Sequence, residues 1–164
     1  MQRWWRDPGN SQWAILVRLS LGFVFVLEGY QKLIMPDALG AGRFATIGIP
    51  WPGLMGPVVG VVELVCGLML LAGFFARVAA VPLIVIMIVA IVSTKIPILL
   101  GRDWLIFNVR NLDRYGFLSM THESRTDVAM LLEALFILLS GAGRWSIDAS
   151  RSHRRRAPAE PIGA

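Results

Sequence analysis

Five charged residues stand where charge is costly. Glu28, Lys32, Glu63, Lys95 and Glu133 each fall inside a run of apolar residues. At the centre of a membrane helix a charge costs about 2.5–3.5 kcal/mol on insertion scales. Such residues persist where they pair, line a polar cavity, or handle a proton or ligand. Glu28 and Lys32 are four apart, so a helix sets them side by side. Glu63 stands between Gly60 and Gly67, and either Lys32 or Lys95 has a stem long enough to reach it. These acids and bases are expected to gather as one buried polar cluster. That cluster is either a structural ion network or a proton- or ligand-handling site. No catalytic residue is assigned.

Other chemistries are excluded or unsupported. His122 and His153 lie outside the apolar runs, so no bis-histidine haem site is expected between helices. No histidine, cysteine or carboxylate group has metal-ligand spacing, and no metal is expected. Cys66 is the single cysteine, which rules out an intrachain disulfide and a dithiol relay. The chain has no phosphate loop, dinucleotide fingerprint or nucleophile elbow.

The elements that must position these residues follow from composition. Hydrophobic residues make up 55% of the 164 and charged residues 16%, against about 25% in soluble domains. Four apolar stretches, 13–34, 54–75, 78–99 and 127–143, are long enough to cross a bilayer. Lipid cannot satisfy free backbone groups, so they must be helices. The expected fold is all-α, an integral membrane four-helix bundle over residues 1–149. Residues 150–164 are expected to form a basic, disordered tail. The first stretch is too long for a signal peptide and carries Glu28 and Lys32 near its end, so it is expected to be retained. Pro97 is expected to end the third span.

Of the 16 basic residues, five lie between Arg144 and Arg156. With Arg3, Arg6 and Arg77 they bias the chain toward both termini in the cytoplasm. A basic tail beside a membrane helix points to anionic lipid rather than nucleic acid. Arg18, Gly22, Phe25, Gly29 and Lys32 share one face of the first helix, and Gly56, Gly60, Glu63 and Gly67 one face of the second. Glycine faces let helices approach closely. Helical rise then puts Glu28 about 9 Å, Glu63 about 13 Å, Lys95 about 6 Å and Glu133 about 9 Å below the outer boundary. Between the third and fourth spans, residues 100–126 form a long outer loop. Leu105, Val109 and Leu112 are spaced as in a surface helix, with an irregular aromatic loop as the alternative.

Three passages carry a resemblance. The first is Arg18-Leu-Ser-Leu-Gly22-Phe-Val-Phe25 with Glu28-Gly29-Tyr-Gln-Lys32. The second is Gly60-Val-Val-Glu63-Leu-Val-Cys-Gly67, continuing to Gly73-Phe-Phe-Ala-Arg77. The third is Ser140-Gly141-Ala-Gly143-Arg-Trp-Ser146-Ile-Asp148. The chain resembles the DoxX family of small bacterial membrane proteins. The resemblance implies a four-helix bundle in the bacterial inner membrane. It also implies an association with quinone-linked redox systems, so quinone is the expected cofactor and a soluble or membrane redox protein the expected partner, with a homo-oligomer also open. A membrane scaffold or assembly factor without chemistry is the alternative. A transporter ranks behind both, because no span is broken at mid-depth.

Overall fold

The computed structural model describes residue 9 and residues 11–156, with the backbone alone for 152–156. Among the described residues six helices follow in order: α1 (Ala14–Ile34), α2 (Ala41–Ile47), α3 (Pro52–Ala72), α4 (Ala76–Leu100), α5 (Phe117–Ser140) and α6 (Ile147–Arg156). Among the described residues, the sole bridge of β type joins Trp104 to Phe107. The fold is an all-α membrane bundle built on four long helices. By length and composition α1, α3 and α4 can each cross a membrane.

Small residues decide how α1 and α3 meet. Gly22 faces Gly67 and Gly29 faces Gly60, two pairs each seven residues apart on antiparallel helices. A Cβ on Gly29 would lie 2.5 Å from the Gly60 carbonyl oxygen, and one on Gly67 would lie 2.9 Å from that of Gly22. Gly56 serves a different contact, since a Cβ there would come within 2.6 Å of the Ala41 nitrogen on α2. α4 packs against α3 and α5, while α1 and α5 touch far less extensively than α1 and α3. Leu21, Phe25, Leu70, Leu83 and Ile137 are fully enclosed at the centre. Outward, Leu16, Phe23, Val61, Val65, Leu68, Val81 and Val85 are exposed, as lipid-facing positions should be.

Four expectations shift. The fourth long helix begins at Phe117 and ends at Ser140, rather than spanning 127–143. Seven of its first ten residues are polar, so apolar patterning does not register them. Thr121 donates to the Phe117 carbonyl and Ser124 to that of Thr121, keeping the polar turns helical. Second, α4 runs through Pro97 to Leu100 and stops where Gly101 turns left-handed (φ 65°). Proline near a helix end removes a single donor, whereas a left-handed glycine releases the chain. Third, no surface helix forms over Leu105, Val109 and Leu112. Leu105 is left-handed (φ 55°), and Trp104 and Phe107 exchange two backbone hydrogen bonds of 2.9 Å. The irregular loop is tied to α2 through Asn108, whose backbone donates to Ile47 and whose side chain donates to Thr46. Fourth, the stretch expected to be disordered from residue 150 begins inside α6, whose backbone stays helical to Arg156; residues 157–164 lie outside the described residues.

At the opposite end the α3–α4 connection is three residues long. Gly73 is left-handed (φ 65°), its N–H reaches the Leu70 carbonyl, and the Phe74 N–H reaches that of Met69. This pairing satisfies the carbonyls that a helix end leaves free.

Candidate functional site

Lys32 is the hub of a charge cluster set between α1 and α3. Its Nζ lies 2.7 Å from Glu63 Oε2 and 3.1 Å from Glu28 Oε2. Glu63 is 2% exposed, Lys32 11% and Glu28 47%, so the three side chains step from the α1–α3 seam to the surface. Backbone geometry aims them. In a helix the Cα–Cβ bond leans toward the N-terminus. For Lys32 on α1 that direction runs toward Ala14, and for Glu63 on the antiparallel α3 it runs toward Pro52, so the two lean toward each other. Gly60 and Gly67 leave the room, because larger side chains there would hold the helices apart. Arg43 on α2 adds a weaker, longer-range attraction to Glu63.

The other two expected members stand elsewhere. Lys95 pairs with Asp127 at 2.8 Å, joining α4 to α5. The early start of α5 explains this: Asp127 lies a full ten residues inside the helix rather than at its cap, level with Lys95. Glu133 is displaced for the same reason. It lies toward the end where α1 begins and α5 ends, where Ser20 Oγ donates to its Oε1 at 3.4 Å. The expected single cluster is thus three separate sites.

A second polar assembly lies at the end of the bundle where α1 begins. Arg18 is 3% exposed; its guanidinium donates to the carbonyls of Ala142 (2.9 Å) and Trp145 (2.8 Å) and abuts Gly73. Arg77 is also buried and donates to the Leu138 carbonyl at 2.9 Å. Asp148 accepts from the Phe75 and Ala76 N–H groups at the start of α4, at 3.0 and 3.2 Å. The Ser146 hydroxyl accepts from the Ala149 N–H, capping α6. Arg151 lies 4.6 Å from the centre of the Phe74 ring. Sequence reading placed Arg18 on the glycine face without assigning it a role. The start of α6 had a signal, since a serine followed two residues later by an acid, Ser146 and Asp148, marks a helix N-terminus.

Two clefts open at the surface. One, of 390 Å³, is lined by Leu112, Asp113, Arg114, Leu118, His122 and Glu123 among others. The other, of 630 Å³, is lined by Ile15, Ala72, Arg144, Trp145, Ser146 and Ser150 among others. Neither includes Lys32 or Glu63.

Known proteins supply the context for this geometry. The DoxX family model matches residues 13–96, which contain α1, α2, α3 and most of α4, with Arg18, Lys32, Glu63 and the glycine pairs. The chain is 47% identical over 144 residues to the uncharacterized membrane protein Rv3486 of Mycobacterium tuberculosis, covering 88% of this chain and 84% of that one. No solved structure matches. With glycine-paired helices, a buried Glu63 and a family match over more than half its length, the chain belongs to the DoxX family of membrane proteins.

Proposed function

We propose that the chain is an accessory subunit of a quinone-linked membrane redox system, contributing a proton- or ligand-handling ion pair rather than an electron carrier. The observation that supports this most is Lys32 between an enclosed carboxylate, Glu63, and a half-exposed one, Glu28. A carboxylate–ammonium pair in a low-dielectric seam is costly to bury, and a hydrophobic pair of the same volume would serve packing as well. Its residues fit a quinone head: the ammonium can donate to a ring oxygen and the carboxylates can accept or return protons. Quinone, when bound, would supply the two-electron, two-proton couple. The electrons would come from a partner's group. Since Glu28 is half-exposed, the ring would approach the pair past it, from the lipid side or beneath a partner.

In this reading the chain crosses a bacterial inner membrane four times with both ends cytoplasmic. The arginine bias motivates the orientation. Contacts between the chain ends support an even number of crossings: the Arg144 N–H donates to the Ser11 carbonyl, and Gly9 abuts Ser140. The test is deletion of the gene in its own host, with the quinol-to-quinone ratio of extracted membranes as readout. A shifted ratio restored by the parent chain is expected; an unchanged ratio counts against the proposal.

One observation favours the scaffold reading. The ion pair lies on the same seam as the Gly22–Gly67 and Gly29–Gly60 contacts, where it can act as a fastener. Substitutions at Glu63 separate the two.

A further inference from the structure

Glu133 differs from the other membrane-embedded charges. Lys32 is held by Glu28 and Glu63, Lys95 by Asp127, Arg18 by two carbonyls and Arg77 by a third. Glu133 has no cation within reach among the described residues; its hydrogen bond comes from the neutral Ser20 at 3.4 Å. Ser20 follows the start of α1 by six residues, and Glu133 precedes the end of α5 by seven. Helical rise puts both about 9–10 Å inside the inner ends, too deep for a lipid headgroup. The pair is not enclosed: Ser20 is exposed and Glu133 half-buried. Leu16 (60% exposed) and Phe23 (59%) stand one turn either side of Ser20, and Leu132 (61%) and Phe136 (39%) stand beside and one turn after Glu133, so apolar side chains flank the shallow groove between the loosely apposed α1 and α5.

We infer that this α1–α5 groove is the docking surface for a transmembrane helix of a different protein, one carrying a lysine or arginine that pairs with Glu133. Charge complementarity selects that occupant. A second copy of this chain, docked by the same groove, would bring a like charge against Glu133. Plain lipid would leave the carboxylate without a donor beyond Ser20, and in hydrocarbon an unmatched polar group is costly. The occupant fills the groove with its apolar flank and supplies the missing charge at mid-helix. The inference stands apart from the quinone proposal, since the site is on another seam and its test contains no quinone.

The probe is a synthetic leucine–alanine transmembrane peptide of about 23 residues with one lysine a third of the way from its inner end; its control has leucine there. Each is reconstituted with the full chain in phosphatidylcholine vesicles, and association is read by energy transfer between dyes. The lysine peptide should associate about tenfold more tightly than the control, in line with polar helix contacts in membranes. Glu133→Leu should remove the preference, and the isosteric Glu133→Gln should reduce it, which keeps the test valid if the leucine variant fails to fold. Equal association of both peptides would overturn the inference. So would energy transfer between copies of the chain that depends on Glu133, because the occupant would then be the chain itself.

Discussion

Lys32 has two carboxylates within 3.1 Å and a largely enclosed ammonium group. Removing Glu63 therefore leaves the ammonium with the half-exposed Glu28 alone and an apolar group beside it in the seam, while neutralising Glu63 without changing its shape keeps both contacts. Glu63→Leu should cost up to about 3 kcal/mol, the lower end of the range for breaking a buried pair, because Glu28 still compensates part of the charge. Glu63→Gln should cost much less, since the amide oxygen still accepts from Lys32. Thermal unfolding in detergent distinguishes them, and equal melting of parent and leucine variant would show that the pair holds nothing together. Glycine makes an independent prediction on the same seam. Gly29→Val places a branched side chain where even a Cβ lies 2.5 Å from the backbone of α3. It should separate α1 from α3 and lower the melting temperature by more than Gly53→Ala, since the space around Gly53 is open. Similar melting of these two variants would refute the close approach.

Helices were legible where apolar patterning reported on them and illegible where it did not. The faces of α1 and α3 could be read from glycine spacing, because a residue without a side chain on an otherwise bulky helix has few uses other than contact. The choice of Lys32 over Lys95 as partner for Glu63 could not be read, because it depends on the antiparallel register of α1 against α3. The start of α5 was missed by ten residues, and that error moved Asp127 and Glu133 along the bundle. Helix α6 escaped because its arginine-rich run resembles a solvated tail. Its docking makes a prediction at this scale. Asp148 accepts two backbone N–H groups at the start of α4, so Asp148→Ala should destabilise by about 0.5–2 kcal/mol, as loss of a helix cap does. Truncation after Arg156 should leave melting unchanged, whereas truncation before Ile147 should lower it. If the two truncations melt alike, α6 is not part of the folded unit.

At the scale of the whole molecule, paired glycines draw α1 and α3 together, Lys95–Asp127 joins α4 to α5, and the hydrogen bonds of Arg18, Arg77 and Asp148 tie the end of α5 and the start of α6 to the other helices. The proposed topology puts α2 and the 101–116 loop outside. In a Cys66→Ser background, a cysteine at position 113 should react with a membrane-impermeant reagent added outside intact cells and one at position 150 should not; the reverse pattern would invert the topology. The ion pair remains the central claim, and the most direct measurement joins its two aspects. Membranes of the native host carrying Glu63→Gln in place of the parent are assayed for the amount and melting of the protein and for the quinol-to-quinone ratio. The account predicts a folded protein at parental level with the ratio of the deletion strain. A folded Glu63→Gln chain with the parental ratio would contradict it, and the Lys32–Glu63 pair would then be a fastener alone.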